Sequence, residues 1–305
     1  MNNMAIRFTL LVLFHMLLAA PTGIAAQSVP TAEDMQSHLE EYLEWKADNT
    51  SGVEFKVKNI PYEDGNMTSV ALVFEDVDLQ EVTTILADPD SWCKLLFLHL
   101  NIKTCVYNDA PDDQWVRLYL GRKYYQPPEK AEELQLTFKS GAMGDGVSWA
   151  ELTAEEGPYG TSDYYIGLYA IQAGNGVYTE LLSSQKVGNT ATAAQNLYFA
   201  TLAAKKVGFS VVGEDWRGNP EYVRGQQGAL ERNIVRYLLA LEIYLQKHAL
   251  EGLAGMQERA DDWYDATAQY KKQLYEVDKD DYLKAKTKEY KNQMALQSEI
   301  TNESP

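Results

Sequence analysis

The chain is 305 residues long, 45% hydrophobic and 23% charged, which is enough for one sizeable folded core and an appendage. Its formal charge of −17 argues against binding of nucleic acid and against simple adhesion to anionic lipid, because both attract cations.

The first segment has the three-part form of a secretory signal. Arg7 precedes an apolar run from Phe8 to Ala20, followed by Pro21 and the small residues Gly23-Ile24-Ala25-Ala26. That run is shorter than the roughly 20 residues a membrane-spanning helix needs, so residues 1–26 are expected to be cleaved, with an uncleaved anchor as the alternative. The protein is therefore expected to be exported, to a bacterial periplasm first and by secretion from a eukaryotic cell second. Loss of Arg7, the only charge in the segment, takes the formal charge to −18.

Thr31 opens a helix to about Lys46, with Glu33 and Asp34 in the first turn, where the helix dipole favours anions. Val53 to Ile60 and Thr68 to Val77 read as strands joined through Pro61 and Asp64-Gly65-Asn66. Two short helices follow. The first covers Leu79 to Leu86, and the second starts where Asp88 caps and Pro89 takes the first helical position. A succession of strands then runs from Ile102 to Lys186, with turn-rich separators such as Gln126-Pro127-Pro128 and Gly157-Pro158-Tyr159-Gly160. Links this short favour an antiparallel meander. A further helix is expected over Asn189 to Lys205, then a short extended piece at Gly208 to Gly213 and a loop from Trp216 to Gly225.

Gln227 to Lys247 is a long amphipathic helix. Leu230, Ile234, Tyr237, Leu238, Leu241, Tyr244 and Leu245 recur at helical spacing, so one face must be covered by the sheet upstream. Beyond Gly252 the composition turns charged and helix-forming, with a weak stripe of Trp263, Tyr270, Leu274 and Val277. This reads as a solvated helical tail, or alternatively as a partner-binding arm. Cys93 and Cys105 are the only cysteines. In an exported chain they suggest a disulfide, with two buried free thiols as the alternative; their spacing with His99 does not suit zinc.

Two helices after the first strands, a meander and a long late helix, with the local segments Asp88-Pro89-Asp90-Ser91-Trp92, Gly121-Arg122-Lys123-Tyr124-Tyr125 and Glu231-Arg232-Asn233, resemble the START-like superfamily. The resemblance covers Thr31 to Lys247. It implies an α+β helix-grip fold, with a curved antiparallel sheet wrapped around a long C-terminal helix plus a charged helical tail. The domains would be a signal at 1–26, a START-like lipid-binding domain at 27–250 and the tail at 251–305. It also implies a ligand cavity for a lipid or other hydrophobic molecule between sheet and helix.

On the strand around Leu118, the face carrying Val116, Leu118, Leu120 and Arg122 is expected to point inward, with Arg122 meeting a ligand head group or pairing with Glu151. Trp92, Leu96, Trp149, Tyr165 and Tyr169 are candidate walls, Tyr237 and Leu241 candidate lining, and Asn233 a candidate hydrogen-bond donor into the cavity. Ordinary core packing predicts the same pattern for most of them. No catalytic residue, metal or cofactor is assigned. Outside the signal only His38, His99 and His248 occur, and neither a Gly-x-Ser-x-Gly elbow nor a His-Glu-x-x-His helix is present. The leading expectation is thus a non-enzymatic binder or transfer protein for a hydrophobic ligand, without a nucleic-acid partner. The alternatives are a cyclase or hydrolase on an aromatic or polyketide-like substrate, with His99 near Asp88 and Asp90 as a base, and an envelope interaction module whose 251–305 segment meets a membrane or protein partner.

Overall fold

The computed structural model describes residues 29–62, 65–144, 146–187 and 206–303. The expected signal segment and the expected helix over Asn189 to Lys205 lie outside the described residues.

Helix α1 (Ala32–Asp48) starts at a capping box in which Thr31 accepts from the Asp34 amide and Asp34 accepts from the Thr31 amide. Strands β1 (Lys56–Tyr62) and β2 (Gly65–Phe74) form a hairpin. Helices α2 (Leu79–Leu86) and α3 (Pro89–Leu96) then carry the chain to the far edge of the sheet, α3 starting at the Asp88 cap with Pro89 in its first turn. The meander follows as β3 (Ile102–Asn108), β4 (Trp115–Leu120), β5 (Glu132–Ala142), β6 (Ser148–Glu156), β7 (Thr161–Ala173) and β8 (Gly176–Val187). All pairs are antiparallel, and the order across the sheet is β1-β2-β8-β7-β6-β5-β4-β3. A small hairpin, β9 (Val211–Glu214) with β10 (Pro220–Tyr222), stands where an extended piece and a loop were expected. It leads into α4 (Gly225–Lys247), followed by α5 (Gly252–Ala268) and α6 (Lys279–Glu303).

Successive strand side chains alternate between the faces of a sheet, and here both faces are buried. The inner face carries Val70, Leu72, Val116, Leu118, Leu136, Phe138, Leu152 and Leu168, which join Ile234, Leu238 and Leu241 of α4 in one core. The outer face carries Ala71, Val73, Tyr169, Ile171, Tyr178 and Leu182, covered by Met35, Leu39 and Tyr42 of α1. Three helices share the inner face. Helix α2 packs on β5, β6 and β7, α3 on β3 and β4, and α4 on β2 and β8. The sheet therefore grips a helical layer and not one rod alone.

Cys93 of α3 and Cys105 of β3 form a disulfide, with Cα atoms 5.2 Å apart. It ties the helical layer to the edge strand.

The segment after Gly252 is helical and charged as expected, but it is docked and not solvated. Trp263 of α5 donates to the Arg236 carbonyl at 3.0 Å and stacks on Tyr282 of α6, so α4 is covered on the side away from the sheet. Helix α6 lines the exposed edge of the sheet. The Gln293 side chain accepts from the Cys105 amide at 2.9 Å, and Gln297 accepts from the Tyr107 amide at 2.9 Å while donating to the Tyr107 carbonyl at 3.0 Å. Glu289, one turn earlier, pairs with Lys103 at 2.9 Å. Four helical residues advance about 6 Å and two strand residues about 6.6 Å. Every fourth residue of α6 can thus meet every second residue of β3, and the free edge is closed by side chains instead of another strand.

Candidate functional site

The eleven residues picked from the sequence as ligand contacts separate into four places. Trp92, Leu96, Leu118 and Leu241 are packed in the inner core. Trp92, 2% exposed, donates its indole N–H to the Leu86 carbonyl and meets the Phe138 ring edge-on. Trp149, Glu151, Tyr165 and Tyr169 share the opposite parity and face outward with α1. Glu151 does not pair with Arg122. Its Oε1 accepts from the Tyr165 hydroxyl at 2.9 Å and the Tyr169 hydroxyl at 2.6 Å, a closed polar cluster on the outer face. Arg122 falls after β4 has ended and is exposed, lining a surface groove of about 680 Å³ with Tyr124, Tyr125, Gln126 and Lys130. The inward face of β4 was read correctly as Val116, Leu118 and Leu120, but strand parity stops applying where the strand does.

Asn233 and Tyr237 remain, and these two the fold does bring together. They lie one turn apart on α4, on the side that leans over the sheet. Asn233 is exposed although Arg232, Ile234, Val235 and Arg236 around it are all buried, and Tyr237 is half-buried. A helix sunk in the core has therefore left one side of its N-terminal half uncovered by the described residues. Beneath it, the inner face of the sheet is also incompletely covered, at Tyr164 of β7 and at Ala154, its register partner on β6. Tyr164 interacts with Tyr237 and lies across Gly157, where a Cβ would collide with its ring. Its hydroxyl is held by the Thr161 hydroxyl at 2.5 Å. Burial pushes the Tyr237 phenol up to about 12 and raises Tyr164 as well.

His99 packs beside Tyr237. Its ring lies 5.2 Å from the Tyr237 ring, and its Nδ1 accepts from the Asn101 amide at 3.1 Å. Burial, with Arg236 and Lys286 nearby, drives its pKa well below the usual histidine value, so the ring is neutral. It does not stand with Asp88 and Asp90 as an acid–base group would; its charged neighbours are cations. Behind it, Lys103 and Lys286 share the buried carboxylate of Glu289, and burial brings Lys286 down to about 7.

The order of the elements decides the architecture: a curved antiparallel sheet, two helices inserted between its second strand and its far edge, and a long helix laid back across the inner face. The chain has an α+β helix-grip arrangement. No family model and no curated relative matches the chain. Solved structures with a partial likeness include a STAR-related lipid transfer protein fragment from Xanthomonas axonopodis, at 14% identity over 51% of this chain and 93% of that one, with a TM-score of 0.36. CalU16 from Micromonospora echinospora is similar at 11% identity over 69% of this chain and 94% of that one, with a TM-score of 0.29. At such values the order of elements in this chain, and neither relative, assigns the fold. Among the described residues, no group of three or more His, Cys, Asp or Glu is placed to hold a metal ion, and no helix is long and apolar enough to cross a membrane.

Tyr164, Ala154 and Arg236 were missed as site residues. The strand sequence Tyr164-Tyr165-Ile166-Gly167-Leu168-Tyr169 offers an aromatic or apolar residue on both parities, so choosing Tyr165 and Tyr169 meant choosing the wrong face.

Proposed function

We propose that this chain binds a hydrophobic small molecule in the recess between the N-terminal half of α4 and the inner sheet face, and acts as a carrier without chemistry. The observation that supports it is the uncovered side of α4 at Asn233 and Tyr237, flanked by the buried Arg232, Ile234, Val235 and Arg236, together with the incompletely covered Tyr164 and Ala154 of the inner sheet face. Each methylene moved there from water contributes about 0.8 kcal/mol, so a long-chain lipid is a sufficient occupant. Acid–base catalysis is less well supported. It calls for accessible groups that titrate near the working pH, whereas Tyr237 is pushed up to about 12, His99 well below its usual value, and Lys286, brought to about 7, is buried on the His99 and Ile102 carbonyls. Export is part of the proposal, and the Cys93–Cys105 disulfide is consistent with an oxidising compartment. A partner-binding arm at 251–305 is disfavoured, because the apolar stripe of that segment is spent on α4 and the sheet edge.

The test is uptake of the fluorescent apolar dye N-phenyl-1-naphthylamine by the purified protein, together with native mass spectrometry of solvent-extracted material. Wild type should bind the dye, and Ala154→Trp, which fills the recess, should abolish uptake while keeping its circular dichroism spectrum. Trp149→Ala, on the outer face, should leave uptake unchanged. A protein that takes up neither dye nor lipid would end the carrier reading.

A further inference from the structure

Resting on that reading, we infer that the bound molecule carries a hydrogen-bond-accepting oxygen, a carbonyl being the simplest case, which the side-chain N–H groups of Asn233 read inside the recess. The orientation of the Asn233 amide follows from its neighbours. Arg236 donates to its Oδ1 at 3.4 Å, and a guanidinium has no acceptor to offer the other end of the amide. His99 strengthens the assignment. Because its Nδ1 accepts from the Asn101 amide, the neutral ring carries its hydrogen on Nε2. That buried Nε2 has no partner in bonding geometry, and Asn233 is the polar side chain that interacts with the ring. The amide oxygen thus faces Arg236, and the amide nitrogen is turned away from it. Asn233 is exposed, so the recess receives N–H donors and no acceptor from this residue. The surroundings agree: the Arg236 guanidinium is a cation beside the amide. A ligand whose head is itself a cationic donor would meet donors and positive charge and be rejected.

The experiment is displacement of N-phenyl-1-naphthylamine by three probes of equal chain length: 2-pentadecanone, pentadecane and pentadecylammonium. The ketone should displace the dye about tenfold more effectively than the alkane, as one buried hydrogen bond allows, and the ammonium least of all. Asn233→Ala should bring the ketone down to the alkane, each read relative to the dye affinity of the variant itself. Asn233→Asp keeps the oxygen that faces Arg236 but replaces the donors with an acceptor, so it should lose the ketone preference and gain the ammonium. Equal displacement by all three probes, or a ketone preference that survives in both variants, overturns the inference while the carrier reading stands. Failure of dye and probes alike to bind the wild-type protein overturns both.

Discussion

Lys286 is the residue whose behaviour departs most from its type. It is 1% exposed, donates to the carbonyls of His99 and Ile102 at 3.0 and 2.6 Å, and shares Glu289 with Lys103, so its charge is compensated but desolvated. With a folded pKa of about 7 against 10.5 for the free side chain, the unfolded chain holds this proton between those values and the folded one does not. Stability should therefore climb as pH rises from about 7 toward 10.5, by up to about 1.4 kcal/mol per pH unit from this group. Urea denaturation of wild type and Lys286→Met across pH 7 to 10 should show the climb in wild type alone; parallel curves would disprove the assignment. Gly157 makes a second prediction. Gly157→Ala forces the Tyr164 ring to move and should cost about 1–3 kcal/mol while changing dye uptake, both readable in one titration series.

At the scale of elements, α6 is a substitute ninth strand. Gln293 and Gln297 satisfy the Cys105 and Tyr107 amides that an edge strand would leave to water or to another chain. Replacing both glutamines with leucine strands those amides against an apolar helix, at about 1–3 kcal/mol for each. Hydrogen exchange should show the two amides losing protection first, ahead of the β7–β8 centre. The disulfide acts on the same edge from the other side. Cys93→Ser with Cys105→Ser should lower stability by about 3 kcal/mol, measured against the oxidised wild type in the same denaturant.

For the whole molecule, α1, the sheet, the layer of α2 to α4, and the outer α5 and α6 are stacked so that α4 is the innermost helix. Removing residues 252–303 would uncover the far side of α4 at Arg236, Trp263's partner, and leave Lys103 without Glu289. Such a truncation should fail to give a soluble monomer by size-exclusion chromatography. A truncated chain that stays folded and binds dye would show the tail to be the independent appendage its composition suggested.

What the sequence determined by itself was local. Asp88-Pro89 starts α3, the apolar spacing from Leu230 to Leu245 gives α4, and the turns set the meander, because caps, periods and turn residues act within a few positions. The places of Asn233 and Tyr237 on α4 were legible too, since Tyr237 belongs to the apolar stripe of that helix and Asn233 lies next to it. The face of β6 and β7 was not legible. Alternation fixes which residues share a side but not which side is inside when Trp149, Tyr165 and Tyr169 compete with Ala150, Leu168 and Ala170. Nor was the fate of the charged segment, whose Glu289, Gln293 and Gln297 have solvent-facing composition and find partners only on an edge strand about 190 residues earlier in the chain. Only the tertiary structure decided these, because burial of a polar side chain depends on what another element brings to it.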